Sequence, residues 1–125
     1  MDSTIEHIFE GNVRRGKAGG YHYECIKDTA GNIVNGTEVL INDLGVYKAQ
    51  VEVNGIPKSG NGGYSTFFPK EMSTQDVIDS INEAYNNKVF VVGSKNSYIG
   101  ISNNGLEIEM YINNNGKIIS AFPKE

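Results

Sequence analysis

The sequence predicts an α+β fold, and three observations carry that reading. Residues 73–87 repeat apolar positions at helical spacing behind a capping signal. The stretch after them alternates apolar and polar residues in short runs joined by Asn-Gly pairs. Ahead of them, shorter strand-like runs are punctuated by glycine. The expected architecture is a short N-terminal helix, one mid-chain helix, and an antiparallel β-sheet with a C-terminal meander.

The elements follow in order. Thr4 to Phe9 reads as a short helix, with Asp2 or Ser3 as cap and Glu6 three residues after Ser3. GNVRRGKAGG is expected to be a loop by its glycines. Tyr21 to Ile26 reads as a strand, with Tyr21, Tyr23 and Cys25 on one face and His22, Glu24 and Ile26 on the other. Ala30-Gly31-Asn32 and Asn35-Gly36 read as turns, and Glu38 to Ile41 as a short strand. From Gly45 to Val53 a longer strand puts Tyr47, Ala49, Val51 and Val53 on an apolar face. Asn54-Gly55 turns the chain into a glycine-rich loop over 56–63, and Tyr64 to Phe68 is another strand.

The helix comes next. Ser73 is its N-cap, Asp76 sits at the box position, and Met72 is placed to staple onto Val77. Val77, Ile78, Ile81, Ala84 and Tyr85 mark the buried face, and Asn86-Asn87 ends it. Four strands follow: Val89 to Val92, Tyr98 to Ser102, Leu106 to Ile112, and Lys117 to Phe122. Asn104-Gly105 and Asn115-Gly116 mark two of the joints.

A chain of 125 residues fits one domain, residues 1–125. Its 38% apolar content, with seven tyrosines and five phenylalanines, argues against disorder. The single Cys25 excludes an internal disulfide, and one cysteine with two histidines does not assemble a structural zinc site. Cys25 itself reads as a buried strand residue. No apolar run is long enough for a membrane helix. The N-terminus lacks the basic and apolar segments of a signal peptide, so export is expected to depend on something outside these residues. A net charge of −4 disfavours a broad nucleic-acid groove. It permits a small local phosphate contact.

The chemistry-bearing residues concentrate in Glu6 to Glu24. Both histidines, His7 and His22, lie there, with Arg14, Arg15 and Lys17 between them. Two imidazoles titrating near neutral pH suit an acid and base pair, and adjacent cations suit a phosphate.

Four pieces in order extend this reading: HIFEG, GGYH, STFFPKEMS leading into the helix, and the terminal NNNGKIISAFP. The pattern resembles the bacterial EndoU nuclease family, the toxin-domain branch of the EndoU endoribonucleases, from His7 to Pro123. The resemblance implies a metal-independent endoribonuclease, without cofactor, in which the ribose 2′-hydroxyl attacks the adjacent phosphorus. The products are a 2′,3′-cyclic phosphate and a 5′-hydroxyl. It implies His22 as base and His7 as acid. Ser120 joins the site, and Phe122, on the same strand face, stacks on a base. It further implies an interbacterial toxin, delivered as part of a larger protein and acting in the target cytoplasm. The implied partners are an RNA substrate, with tRNA as one candidate, and a cognate immunity protein.

One position departs from the family pattern. The family's catalytic lysine lies just before the Ser-x-Phe strand, where this chain has Tyr64. Lys58, in the glycine-rich loop, is the first choice to replace it. Arg14, Arg15 or Lys17 are the other sources of charge, and Tyr64 and Thr66 are further substrate-binding candidates. Two other classes stay open on the residues alone. One is a non-catalytic binding module, such as an immunity or adaptor protein, which the acidic charge suits. The other is a metal nuclease built on Asp76, Asp79 and Glu83, which read more simply as a cap and a solvated helix face.

Overall fold

The computed structural model describes residues 12–14, 17–20, 22–23, 31–58 and 60–124. Among them are one helix, two main antiparallel sheets and a two-stranded hairpin, so the α+β class holds. The helix expected at 4–9 lies outside the described residues.

The helix, α1, spans Thr74–Asn86. Its capping box is complete: Asp76 N donates to Ser73 Oγ at 3.1 Å, and Ser73 N donates to an Asp76 carboxylate oxygen at 3.0 Å. Val77, Ser80, Ile81 and Ala84 are buried, with Ile78 and Tyr85 packed at the margin, so the predicted face is the one used. That face lies on a four-stranded sheet made of β8 (Val89–Phe90), β9 (Ser97–Ile101), β10 (Glu107–Ile112) and β11 (Ile118–Pro123), in the order β11-β10-β9-β8. The helix backbone lies close against Gly100 of β9. A Cβ there would stand 1.9 Å from the Ala84 carbonyl oxygen, so no larger residue fits without moving the helix. Ile108, Met110 and Ala121 point inward with Leu106, Met72, Phe68 and Tyr23 to fill the core. The Asn-Gly joints behave as expected: Gly105 and Gly116 take φ of 89° and 78°, the left-handed region.

The second sheet is built on β5 (Tyr47–Val53). Along one edge run β3 (Gly31–Ile33) and β4 (Val39–Leu40); along the other run β6 (Ile56–Pro57) and β7 (Tyr64–Phe67). Tyr47, Ala49, Val51, Val53 and Phe67 form its core, with the Tyr47 and Phe67 rings stacked at 5.1 Å. Lys58 N donates to Val51 O at 2.9 Å and Val34 N to Gln50 O at 2.8 Å, so successive β5 residues bond to opposite edges. Pro57 lies opposite Glu52, whose backbone groups face the other edge, and its missing amide proton is not required there.

Several sequence expectations are corrected. The glycine-rich segment expected as a loop contains a hairpin, β1 (Asn12–Arg14) with β2 (Lys17–Gly19). Gly31 and Asn32 are paired with Val53 and Glu52 rather than forming a turn, because an unfilled edge of β5 lies beside them. Ile56 and Pro57, placed in a loop, pair back on β5 around Asn54-Gly55; the two turn residues have φ of 51° and 77°, as a tight two-residue hairpin demands. Val89 to Val92 shortens to Val89–Phe90. Of the strand expected over Tyr21 to Ile26, only His22 and Tyr23 are described; both are buried, and the Tyr23 hydroxyl donates to Met72 O. Cys25 lies outside the described residues.

Candidate active site

The candidate site forms along β7, on the edge that β5 leaves open. Thr66 turns its carbonyl to that edge, because it pairs with Lys48, a β5 position bonded to the far side. His22 lies alongside. Its carbonyl accepts from Phe68 N at 2.8 Å, and its ring Nδ1 sits 2.6 Å from Thr66 O. A carbonyl oxygen only accepts, so Nδ1 is the donor, and the neutral imidazole then carries its lone pair on Nε2. The ring is 4% exposed, and Phe122 of β11 stacks on it at 5.2 Å with 24° between planes. A backbone hydrogen bond, a side-chain hydrogen bond and a ring stack therefore fix His22 in one orientation.

Lys58 approaches the same strand. The chain leaves β5's edge after Lys58, passes through a 3₁₀ turn over Gly60–Gly63, and returns to that edge at Tyr64. Gly62 and Gly63 have φ of 65° and 87°, which lets the segment double back. This brings Lys58 Nζ to 2.7 Å from Ser65 Oγ, which itself donates to Gly20 O at 3.0 Å. The amine thus lies two links from the segment that carries His22. Burial lowers the Lys58 amine from 10.5 to about 8.

The remaining candidates divide into those the fold brings together and those it does not. Ser120 and Phe122 share a face of β11, Ser120 is buried, and β11 lies against β7. Thr66 Oγ1 is buried without a hydrogen-bond partner, and an unpaired hydroxyl costs about 1–3 kcal/mol. Tyr64 shares the Thr66 face of β7, half-buried, with Lys48 Nζ 5.4 Å from its ring centre. Arg14 and Lys17 face each other in register across the β1–β2 hairpin, and β2 borders β5 and β6. His7 and Arg15 lie outside the described residues. Along α1 Asp76 caps the helix, Asp79 accepts from Gln75 at 2.8 Å, and Glu83 accepts from Asn103 N at 2.9 Å. Each of these acids is tied into the fold, and among the described residues no three ligand-type side chains cluster.

Sequence reading missed Ser65, which links Lys58 to Gly20, and the role of the Thr66 backbone oxygen. The serine stands in STFFP beside Thr66, but nothing in its spacing points to a lysine seven positions earlier. It also missed Tyr111, whose ring meets Phe122 edge-on at 5.6 Å. Strand register would have found it, because Tyr111 stands opposite Ser120.

An α+β domain that holds an oriented imidazole and a buried amine along one strand has parts suited to chemistry at phosphorus. The bacterial EndoU nuclease model matches residues 2–125, and the chain belongs to that family. A Bacillus cereus protein named Toxin is 56% identical over 124 residues, covering 98% of this chain and 22% of its own length. The chain thus spans about a fifth of that relative. No solved structure matches the chain significantly. No helix among the described residues is long and apolar enough to cross a membrane.

Proposed function

We propose that this domain is a metal-independent endoribonuclease and the toxic part of a larger protein. The observation that carries the reading is the His22 Nδ1–Thr66 O hydrogen bond at 2.6 Å. It sets the tautomer a general base needs, with Nε2 as the proton acceptor. In the proposed reaction Nε2 takes the proton of the ribose 2′-hydroxyl as that oxygen attacks the adjacent phosphorus. The 5′-oxygen leaves with a proton from His7, giving a 2′,3′-cyclic phosphate and a 5′-hydroxyl. The Lys58 ammonium neutralises charge building on the phosphorane oxygens. Ser120, Tyr64, Thr66 and the Arg14, Arg15 and Lys17 segment contribute substrate contacts. Phe122 holds the imidazole by stacking on one face of the ring.

Membership of a nuclease family and 56% identity to a protein named Toxin support this reading. The reading includes delivery to a target cell, action on RNA in its cytoplasm, with tRNA as one candidate, and a cognate immunity protein. The test is incubation of the pure protein with total tRNA in excess EDTA, with end-group analysis of the fragments. Fragments ending in 2′,3′-cyclic phosphate are expected. Cleavage that EDTA stops would replace the mechanism with a metal-dependent one, and intact RNA would leave a binding module instead. For the inhibitor, co-expression with the neighbouring gene is expected to rescue growth that the domain alone arrests.

A further inference from the structure

The base-stacking surface beside His22 differs from what the sequence pattern alone suggests. Phe122 faces the imidazole at 5.2 Å, so that side of its ring is occupied. Tyr111 closes on it edge-on at 5.6 Å. Phe122 is therefore held between two rings and is half-buried, and the more open ring of the series is Tyr111, which is 37% exposed. The three rings form one continuous series because of sheet register. On the outer face of the meander, Ser120 stands opposite Tyr111, and Phe122 stands opposite Glu109. Tyr111 is linked to the imidazole through Phe122, by two ring-to-ring contacts rather than one.

We propose that Tyr111 is a stacking platform for a base flanking the cleaved linkage, one nucleotide beyond the ribose whose 2′-hydroxyl gives its proton to His22. This rests on the endoribonuclease reading for the direction of the strand, but the platform itself is a binding property. The electrostatics of the face select bases over phosphates. Glu107 and Glu109 lie on the same face of β10 as Tyr111, and Ser97 Oγ donates to Glu109 at 2.9 Å, fixing that carboxylate beside the ring. A phosphate is repelled there, whereas an aromatic base is neutral and gains from a ring face. The RNA backbone is thereby directed away from β10, toward the Lys58 side of the site. Stacking of this kind accepts any base, so Tyr111 contributes affinity for length rather than for sequence.

The test uses the whole chain and fluorescein-labelled 2′-deoxy hexanucleotides of mixed sequence, which bind without being cleaved. Anisotropy gives Kd for the wild type and for Tyr111→Ala, Tyr111→Phe and Tyr111→Trp. Alanine is expected to raise Kd by about 5- to 100-fold, the worth of one stacked base. Phenylalanine and tryptophan are expected to bind like the wild type. Unlabelled 2′-deoxynucleoside 3′-monophosphates, which carry no flanking base, should compete equally well against wild type and Tyr111→Ala. Unchanged hexanucleotide binding in Tyr111→Ala overturns the proposal, as does a wild type that binds no hexanucleotide. An equal loss for the monophosphates also overturns it, because the ring would then act by bracing Phe122 and His22. Ring-dependent binding by a protein that leaves RNA intact keeps the platform and removes the endoribonuclease reading.

Discussion

The two sheets of this protein are filled differently. The C-terminal sheet is backed by a capped helix and closes over an apolar core of Val77, Ile81, Leu106, Ile108 and Met110. The buried polar groups of that half are serines, Ser80, Ser97, Ser102 and Ser120, whereas the β5 sheet has a smaller apolar cluster among the described residues and covers, beside Ser65 and Thr66, groups that can take a charge: the His22 imidazole and, in part, the Lys58 amine. A buried polar group is stabilised only by its partners. The first sheet therefore acts as a scaffold. The second holds groups whose burial raises the energy of the fold but tunes them for chemistry. They meet where β11 lies against β7, and Phe122 on His22 is that seam.

The largest expected effect breaks the chemistry and leaves the scaffold. His22→Ala should lower the cleavage rate by about 10²- to 10⁴-fold, the worth of a general base. The far-ultraviolet spectrum should be unchanged, since the backbone hydrogen bonds of α1 and the meander are made without the ring. Single-turnover cleavage measures it, and a mutant with full activity removes His22 from the mechanism.

Lys58 comes next and tests both halves of the comparison. Lys58→Met should slow single turnover by about a hundredfold if the ammonium faces the phosphorane. The same mutant should be more stable than wild type at neutral pH. The sign follows from the lowered value. Below pH about 8 the amine is charged in both folded and unfolded chains, and the fold bears the whole cost of desolvating it. Between about 8 and 10.5 the unfolded chain holds more protons, so wild-type stability rises with pH and the advantage of the mutant shrinks. Urea midpoints at pH 7 and 10 check this. Activity moves in the opposite direction: kcat/KM should fall as pH rises through about 8, and Lys58→Arg should push that limb to higher pH.

Gly100→Ala attacks the scaffold. Overpacking at that contact should destabilise by about 1–3 kcal/mol, with the rate per folded molecule unchanged. A mutant as stable as wild type would mean that α1 shifts freely on β9. The smallest effect is at Thr66. Thr66→Val replaces an unpaired hydroxyl with an isosteric methyl and leaves the carbonyl that holds His22. Stability should stay level or rise by up to about 1 kcal/mol. A drop in rate without a drop in stability would show that Oγ1 meets the substrate.

What the sequence by itself determined is what neighbours along the chain decide. The capping box of Ser73 and Asp76, the apolar face of α1, the alternation of β5 and β10, and the left-handed turns at Gly105 and Gly116 all rest on interactions a few residues apart. Residue types also drew attention to His22, and the family resemblance to Lys58. Only the tertiary structure decided where these side chains sit. His22 finds Thr66 O across 44 positions, and Ser65 finds Gly20 O across 45. Gly31 and Pro57 join a sheet against their own propensities because β5 offers them an edge. The partner of a buried polar group is chosen by which strand edge lies open beside it. That is a property of the assembled sheet and of no local stretch of the chain.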